Sequence, residues 1–126
     1  MDIPTELRYS TDHEWARVED GRVRVGITDY AQDALGDVVF VDLPDVGAKV
    51  EQGQSCAEVE STKSVSEIYA PLGGVIVEVN AELVDNPQRL NEDPYAEGWM
   101  FVIEPADEAQ LGKLLDSEGY RALIEG

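Results

Sequence analysis

The sequence predicts a mainly β fold, a barrel or sandwich with short helical additions, on three observations. Short runs rich in Val and Ile recur along the chain, divided by Gly, Pro and Asp. Helical periodicity is confined to one brief stretch and the C-terminal end. No βαβ alternation is present, so a parallel sheet is not expected.

The elements follow in order. "WARVEDGRVRVGI" is the clearest hairpin, with Asp20-Gly21 as its turn. Val23, Val25 and Ile27 alternate with Arg22 and Arg24, the period of two of a strand with one buried face. "TDYAQDALG" reads as a short helix. Thr28 caps its start, Ala31, Ala34 and Leu35 share a face, and Gly36 ends it. "DVVFVDLP" is expected to be a more fully buried strand, stopped by Pro44. After a turn-rich stretch, residues 55–60 and 65–69 read as two strands, which places Lys63 at or near a hairpin tip.

"APLGGVIVEVN" supplies another turn and strand, and "AELVDNPQRLNEDPYAEG" reads as a long polar connection. "WMFVI" is a last strand. Residues 107–124 are expected to be mostly helical, with Leu111, Leu114 and Leu115 as the apolar stripe and Gly119 splitting it. "LPDVGAKVEQG" and "APLGGVIVEVN" share a loose pattern, which hints at a pair of half-motifs flanking the lysine hairpin.

The 126 residues suit a single domain over 1–126. Within it the lysine hairpin spans about 55–70 and the helical end about 106–124. With 43% hydrophobic residues the chain can bury a core. Its net charge of −18 argues against nucleic acid and anionic membrane surfaces, because both require neutralised phosphates. It favours partners with basic patches and salt-sensitive encounter. Cys56 is the only cysteine, so no internal disulfide forms, and its expected role is a small buried hydrophobe. One histidine cannot build a zinc site. The N-terminus lacks the basic and apolar regions of a secretory signal, and no apolar run is long enough to span a bilayer.

No enzyme constellation stands out. Nucleophile-elbow, P-loop and dinucleotide signatures are missing. His13, in "STDHEW", reads as exposed or structurally hydrogen-bonded. Trp15 and Trp99 read as core packing in preference to a docking surface. That leaves Lys63, one of only three lysines. Glu60 and Glu67 lie near it in sequence, and Ser61, Thr62 and Ser64 are small and polar. These neighbours suit a charged, accessible amine that a modifying enzyme can reach. They do not suit a lysine buried for Schiff-base chemistry.

"VESTKSVSEIYAP" resembles the lipoyl-lysine hairpin of the glycine cleavage system H proteins. "HEW" at 13–15, "GITDYAQDALGDVVFVDLP" at 26–44 and "NEDPYAEGWM" at 91–100 carry the same resemblance, which runs from about Tyr9 to Tyr120. Simple lipoyl domains share the hairpin but lack the second and third of these blocks. Biotin carriers usually flank the lysine with methionines, whereas Thr62 and Ser64 stand here. Many relatives carry a lysine shortly after "GWM", where this chain has "FVIEP".

The resemblance implies a lipoyl/biotinyl-type barrel-sandwich hybrid with short helices and a C-terminal helical segment. It implies a non-catalytic carrier with lipoate joined by amide to Lys63. The arm would take an aminomethyl group from a pyridoxal-phosphate glycine decarboxylase to a tetrahydrofolate-dependent aminomethyltransferase. Dihydrolipoyl dehydrogenase would reoxidise it, and lipoate-attaching enzymes would be further partners. A monomer is expected. Its place would be the bacterial cytoplasm, favoured by Met1, or an organelle matrix if a leader has been removed.

A loaded arm is cationic, so an acidic cleft on the carrier is expected to receive it. Glu14 and Glu67 are the candidate partners, with Asp12 third. The alternatives are lipoate relay, a carrier for another lipoate-dependent complex, or an acidic adaptor in which Lys63 is merely exposed.

Overall fold

Nine strands and five short helices build the computed structural model, which describes residues 2–126. The strands are β1 (Arg8–Tyr9), β2 (Glu14–Glu19), β3 (Arg22–Ile27), β4 (Val38–Asp42), β5 (Lys49–Val50), β6 (Ser55–Ser61), β7 (Val65–Tyr69), β8 (Gly74–Val79) and β9 (Phe101–Pro105). Helix α1 (Asp29–Leu35) follows β3. Helices α2 (Glu82–Asp85) and α3 (Arg89–Glu92) follow β8, and α4 (Ser117–Glu125) ends the chain after a 3₁₀ helix at Glu108–Lys113. Six strands form one sheet in the order β1-β2-β3-β9-β8-β5, and β4-β6-β7 form the other. All named pairings are antiparallel.

The β2–β3 hairpin forms as its sequence dictates. Asp20 and Gly21 both take positive φ, 52° and 78°, the geometry that matches a two-residue turn to strand twist. Val23, Val25 and Ile27 are buried, as their alternation requires. Trp15 lies opposite Gly26. A Cβ at Gly26 would stand 2.7 Å from the indole, so only glycine lets the ring cover the strand. The inner faces of the two sheets share one core that includes Val25, Ile27, Val59, Ile68, Ile76 and Phe101. A second cluster joins Leu7, Tyr9, Trp15 and Tyr120, with Trp99 packed at its edge. The two tryptophans are therefore packing residues. Trp15 donates to the Pro94 carbonyl at 2.9 Å, and the Arg24 guanidinium covers Trp99 at 4.4 Å.

Three expectations are corrected. Strand β4 is not fully buried, since Val39 and Phe40 are about half exposed. A bulge between Val38 and Phe40 adds one residue against β6. It breaks the inward-outward alternation, and both side chains end on the outer face. The connection at 81–98 is not merely polar, because α2 and α3 each sink one leucine, Leu83 and Leu90, fully into the core.

The C-terminal stretch is not a helix split at Gly119. The chain runs extended from Leu114, and Leu115 bridges to Tyr9 with backbone bonds of 2.8 Å in each direction. Asp116 then caps α4 by accepting from the Gly119 N–H at 2.8 Å, so Gly119 lies inside its first turn. The three leucines consequently serve two clusters: Leu111 and Leu114 the first, Leu115 the second. The two half-motifs pair with each other through β5 and β8, Lys49 opposite Val75 and Val50 opposite Gly74.

Candidate functional site: the Lys63 hairpin and its cleft

Lys63 occupies the turn between β6 and β7, where Glu60 pairs with Val65. Ser61 builds that turn. Its N–H donates to the Ser64 carbonyl at 2.8 Å, and its Oγ accepts from the N–H groups of Lys63 and Ser64, both at 3.1 Å. The tip is also tied to the body of the protein, because the Thr62 N–H donates to the Asp37 carbonyl at 3.0 Å.

Asp37 lies on the α1–β4 connection, which Asn91 of α3 grips. Asn91 Nδ2 donates to the Gly36 carbonyl at 2.8 Å and to Gln32 Oε1 at 3.1 Å, and its Oδ1 accepts from the Val38 N–H at 2.9 Å. The Lys63 stem lies over Gly36. A Cβ there would meet Lys63 Cε at 2.8 Å, and φ is 81°, so glycine satisfies both the helix end and the lysine stem. Lys63 itself is exposed and makes no ion pair among the described residues. The result is an accessible amine on a braced base.

Beside the tip lies a cleft of about 390 Å³. Its floor is apolar, from Ile27, Ala31, Leu35 and Ile68, and Asp12, His13, Ser64 and Glu67 supply its polar groups. A hydrocarbon chain with a polar end would find both surfaces it requires. Asp12 and Glu67 are thus brought together on the cleft that adjoins Lys63.

Glu14 is placed differently. It lines the neighbouring pocket of about 280 Å³, which it shares with Asp12. Glu14 is only 1% exposed. Its carboxyl accepts from Ser10 Oγ at 2.5 Å and from the Tyr69 N–H at 3.3 Å. Burial raises its pKa to about 8, against the pull of these two hydrogen bonds and with added repulsion from Asp12. Cys56 lies close enough that Glu14 adds to the effect of burial, which pushes its thiol up to about 12.

His13 takes φ 71°, unusual for a residue with a side chain. Its carbonyl accepts from the Thr28 N–H at 3.0 Å, and Nδ1 meets the Tyr120 hydroxyl at 2.8 Å. Among the described residues no cluster of His, Cys, Asp and Glu is placed to hold a metal ion.

Lys63 and the acidic groups are singled out by the sequence, and the fold sets Asp12 and Glu67 on the cleft beside the lysine and Glu14 in the neighbouring pocket. Sequence reasoning missed Asn91 and Tyr120, whose partners lie far away in the chain, and it used Ser61 only as a small neighbour of Lys63. The "NEDPYAEGWM" block contains Asn91, so the signal was in view without its geometry.

The family model described as "Glycine cleavage H-protein" matches residues 7–126. The chain belongs to the glycine cleavage H-protein family. A glycine cleavage system H protein of Anaeromyxobacter sp. (strain K) is 54% identical over 125 residues, covering 99% of this chain and 98% of the relative. The one from Klebsiella pneumoniae is 56% identical over 124 residues, covering 98% and 96%. The crystal structure of a glycine cleavage system H protein from Mycobacterium marinum superposes with a TM-score of 0.91 at 46% identity, covering 98% of this chain and 100% of that one. The two-sheet architecture with short helices is that family's barrel-sandwich fold.

Proposed function

We propose that this chain is a lipoylated carrier of glycine cleavage, with lipoate joined by amide to Lys63 Nζ. The observation that carries the reading is an exposed lysine on a braced hairpin tip, beside a cleft with an apolar floor and an acidic rim, in a chain of the H-protein family. When bound, lipoate supplies a disulfide at the end of a flexible arm, able to take up an aminomethyl group as CO2 leaves glycine and to yield it to a tetrahydrofolate-dependent aminomethyltransferase. The implied partners are those two enzymes, dihydrolipoyl dehydrogenase and a lipoate-attaching enzyme. The family role is that of a carrier component, and on this proposal the chain is non-catalytic and monomeric.

The chain's own residues hold and receive the arm. Ser61, Asp37 and Asn91 fix the base, so that motion is confined to the lysine side chain and what it bears. Tethering then raises the effective concentration of the cargo at each client site. The apolar floor takes the hydrocarbon of the arm out of water, and Asp12 and Glu67 present acceptors to a cationic end. A charge-assisted hydrogen bond of this kind contributes about 1.5–3 kcal/mol. Glu14, in the neighbouring pocket that Asp12 also lines, is a third carboxyl, held largely neutral by burial.

The test is glycine-dependent exchange of labelled bicarbonate by a pyridoxal-phosphate glycine decarboxylase. The lipoylated chain is expected to stimulate exchange, and Lys63→Arg is expected to give none. A fully lipoylated chain that fails to stimulate would assign the arm to another client.

A further inference from the structure

We propose that Tyr120, on the C-terminal helix, is a positioning residue for the arm cleft: its hydroxyl donates to His13 Nδ1 and holds the imidazole as its neutral Nε2–H tautomer on the cleft wall. The inference rests on the reading of that cleft as the arm's dock.

The direction of the hydrogen bonds is set by where the protons can go. Tyr120 is fully buried, stacked on Tyr9 with ring centroids 4.7 Å apart. Its hydroxyl has two partners, His13 Nδ1 at 2.8 Å and Thr28 Oγ1 at 2.7 Å. Thr28 is also fully buried, and its Oγ1 already accepts from the Ala31 N–H as the cap of α1. Among the described residues the Thr28 hydroxyl proton has one acceptor, the Tyr120 oxygen. Tyr120 must then donate onward to His13 Nδ1. The opposite order would leave the buried Thr28 proton without an acceptor, which is costly. With Nδ1 accepting, the ring proton sits on Nε2. Nε2 has no partner among the described residues, and none of their side-chain polar atoms is buried without one, so Nε2–H is open to solvent on a ring that lines the cleft.

The charged and titratable groups around the ring give this tautomer a purpose. Asp12 precedes His13, and Glu67 of β7 lines the same cleft. Tyr30 of α1 lies against the ring with centroids 4.8 Å apart. Glu14 follows His13 but its carboxyl is engaged by Ser10 and Tyr69. Among the described residues no Lys or Arg lines the cleft. A neutral imidazole leaves Asp12 and Glu67 uncompensated for a cationic arm, whereas a protonated one would set a second cation beside it. Burial lowers the pKa of His13 and Asp12 acts the other way, so the Tyr120 bond tips a contested balance toward the neutral ring. The C-terminal helix thereby acts on the cleft through one hydroxyl, while the bonds between Leu115 and Tyr9 anchor the start of that helix.

Long-range ¹H–¹⁵N spectra of the unmodified chain test this directly, since His13 is the only histidine. The expected signature is an Nε2–H tautomer. Tyr120→Phe keeps the stacked ring and removes the donor, so its His13 midpoint is expected to rise by about half a unit to one unit. Thr28→Ser retains the hydroxyl and is expected to keep the wild-type midpoint. On the loaded chain, release of the cargo by Tyr120→Phe should match wild type at about pH 8 and exceed it at about pH 6. An Nδ1–H tautomer in wild type, or an unmoved midpoint in a folded Tyr120→Phe, would overturn the proposal. Release equal to wild type at both pH values would overturn its link to the arm. A chain that accepts no lipoate fails the carrier reading instead, and the tautomer measurement distinguishes that case.

Discussion

Replacing Glu14 by glutamine isolates the energetic consequence of one buried carboxyl. Glutamine keeps the shape and cannot ionise, and its one oxygen serves where two carboxyl oxygens accept from Ser10 Oγ and the Tyr69 N–H. The folded pKa of Glu14 is about 8, against 4.5 for the free group. A folded pKa raised in this way means that the unfolded chain releases its proton first. Stability is therefore complete below about pH 4.5 and declines as pH rises toward 8. At about 1.4 kcal/mol per unit, the cost at pH 7 is about 3 kcal/mol, and near pH 8 it approaches about 5 kcal/mol. Urea unfolding followed by tryptophan fluorescence, at intervals between pH 4.5 and 8.5, reads the difference between wild type and Glu14→Gln. The variant is expected to gain about 3 kcal/mol on wild type between pH 4.5 and 7. A difference constant to within about 0.5 kcal/mol across that range would show an ordinary ionised carboxylate, and the account of Glu14 as a stored neutral acid would be wrong. His13 runs the other way. Its folded pKa is lowered, so its contribution is lost as pH falls below about 6.5; the two effects have opposite sign, and that of His13 is common to wild type and Glu14→Gln and cancels in their difference.

Other consequences are as direct. Gly36→Ala places a Cβ 2.8 Å from Lys63 Cε at φ 81°; it should cost about 1–2 kcal/mol of stability in thermal unfolding and slow lipoate attachment several-fold. Asn91→Ala removes three hydrogen bonds around the α1–β4 connection; a loss of about 2–3 kcal/mol is expected, and hydrogen exchange at the Thr62 amide should accelerate before that of the core strands. Cys56, with its thiol pushed up to about 12, should resist iodoacetamide at pH 7.5 in the folded chain and react at once in urea, whereas equal rates would place it in an open, unperturbed setting.

The readable parts of the molecule were those fixed by local chemistry. Asp20-Gly21 and the alternation of Val23, Val25 and Ile27 specify a hairpin without outside help. The Ser-Thr-Lys-Ser run between two strand-like arms does the same for the lysine tip. What the sequence hid was set at long range. Val39 and Phe40 sit in an apolar run that suggests burial, and only the pairing of β4 with β6 reveals the bulge that turns both outward. Asn91 reaches residues 53 to 59 positions away, and Tyr120 meets His13 across 107. No period or composition announces such contacts. The end of the chain misled for a related reason, because Leu115 left the helical pattern to pair with Tyr9. Asp12, Glu14 and Glu67 could be singled out as acidic groups near Lys63, but which pocket each faces is set by the fold: Asp12 lines both, Glu67 the one beside the tip and Glu14 its neighbour.

The central claim is that Lys63 bears the cofactor. Intact mass followed by peptide mapping, after co-expression with a lipoate ligase and lipoate, tests it most directly. One lipoyl increment is expected, located on Lys63 and absent from Lys63→Arg. A folded chain that gains no increment, while the ligase modifies a control protein, would contradict it.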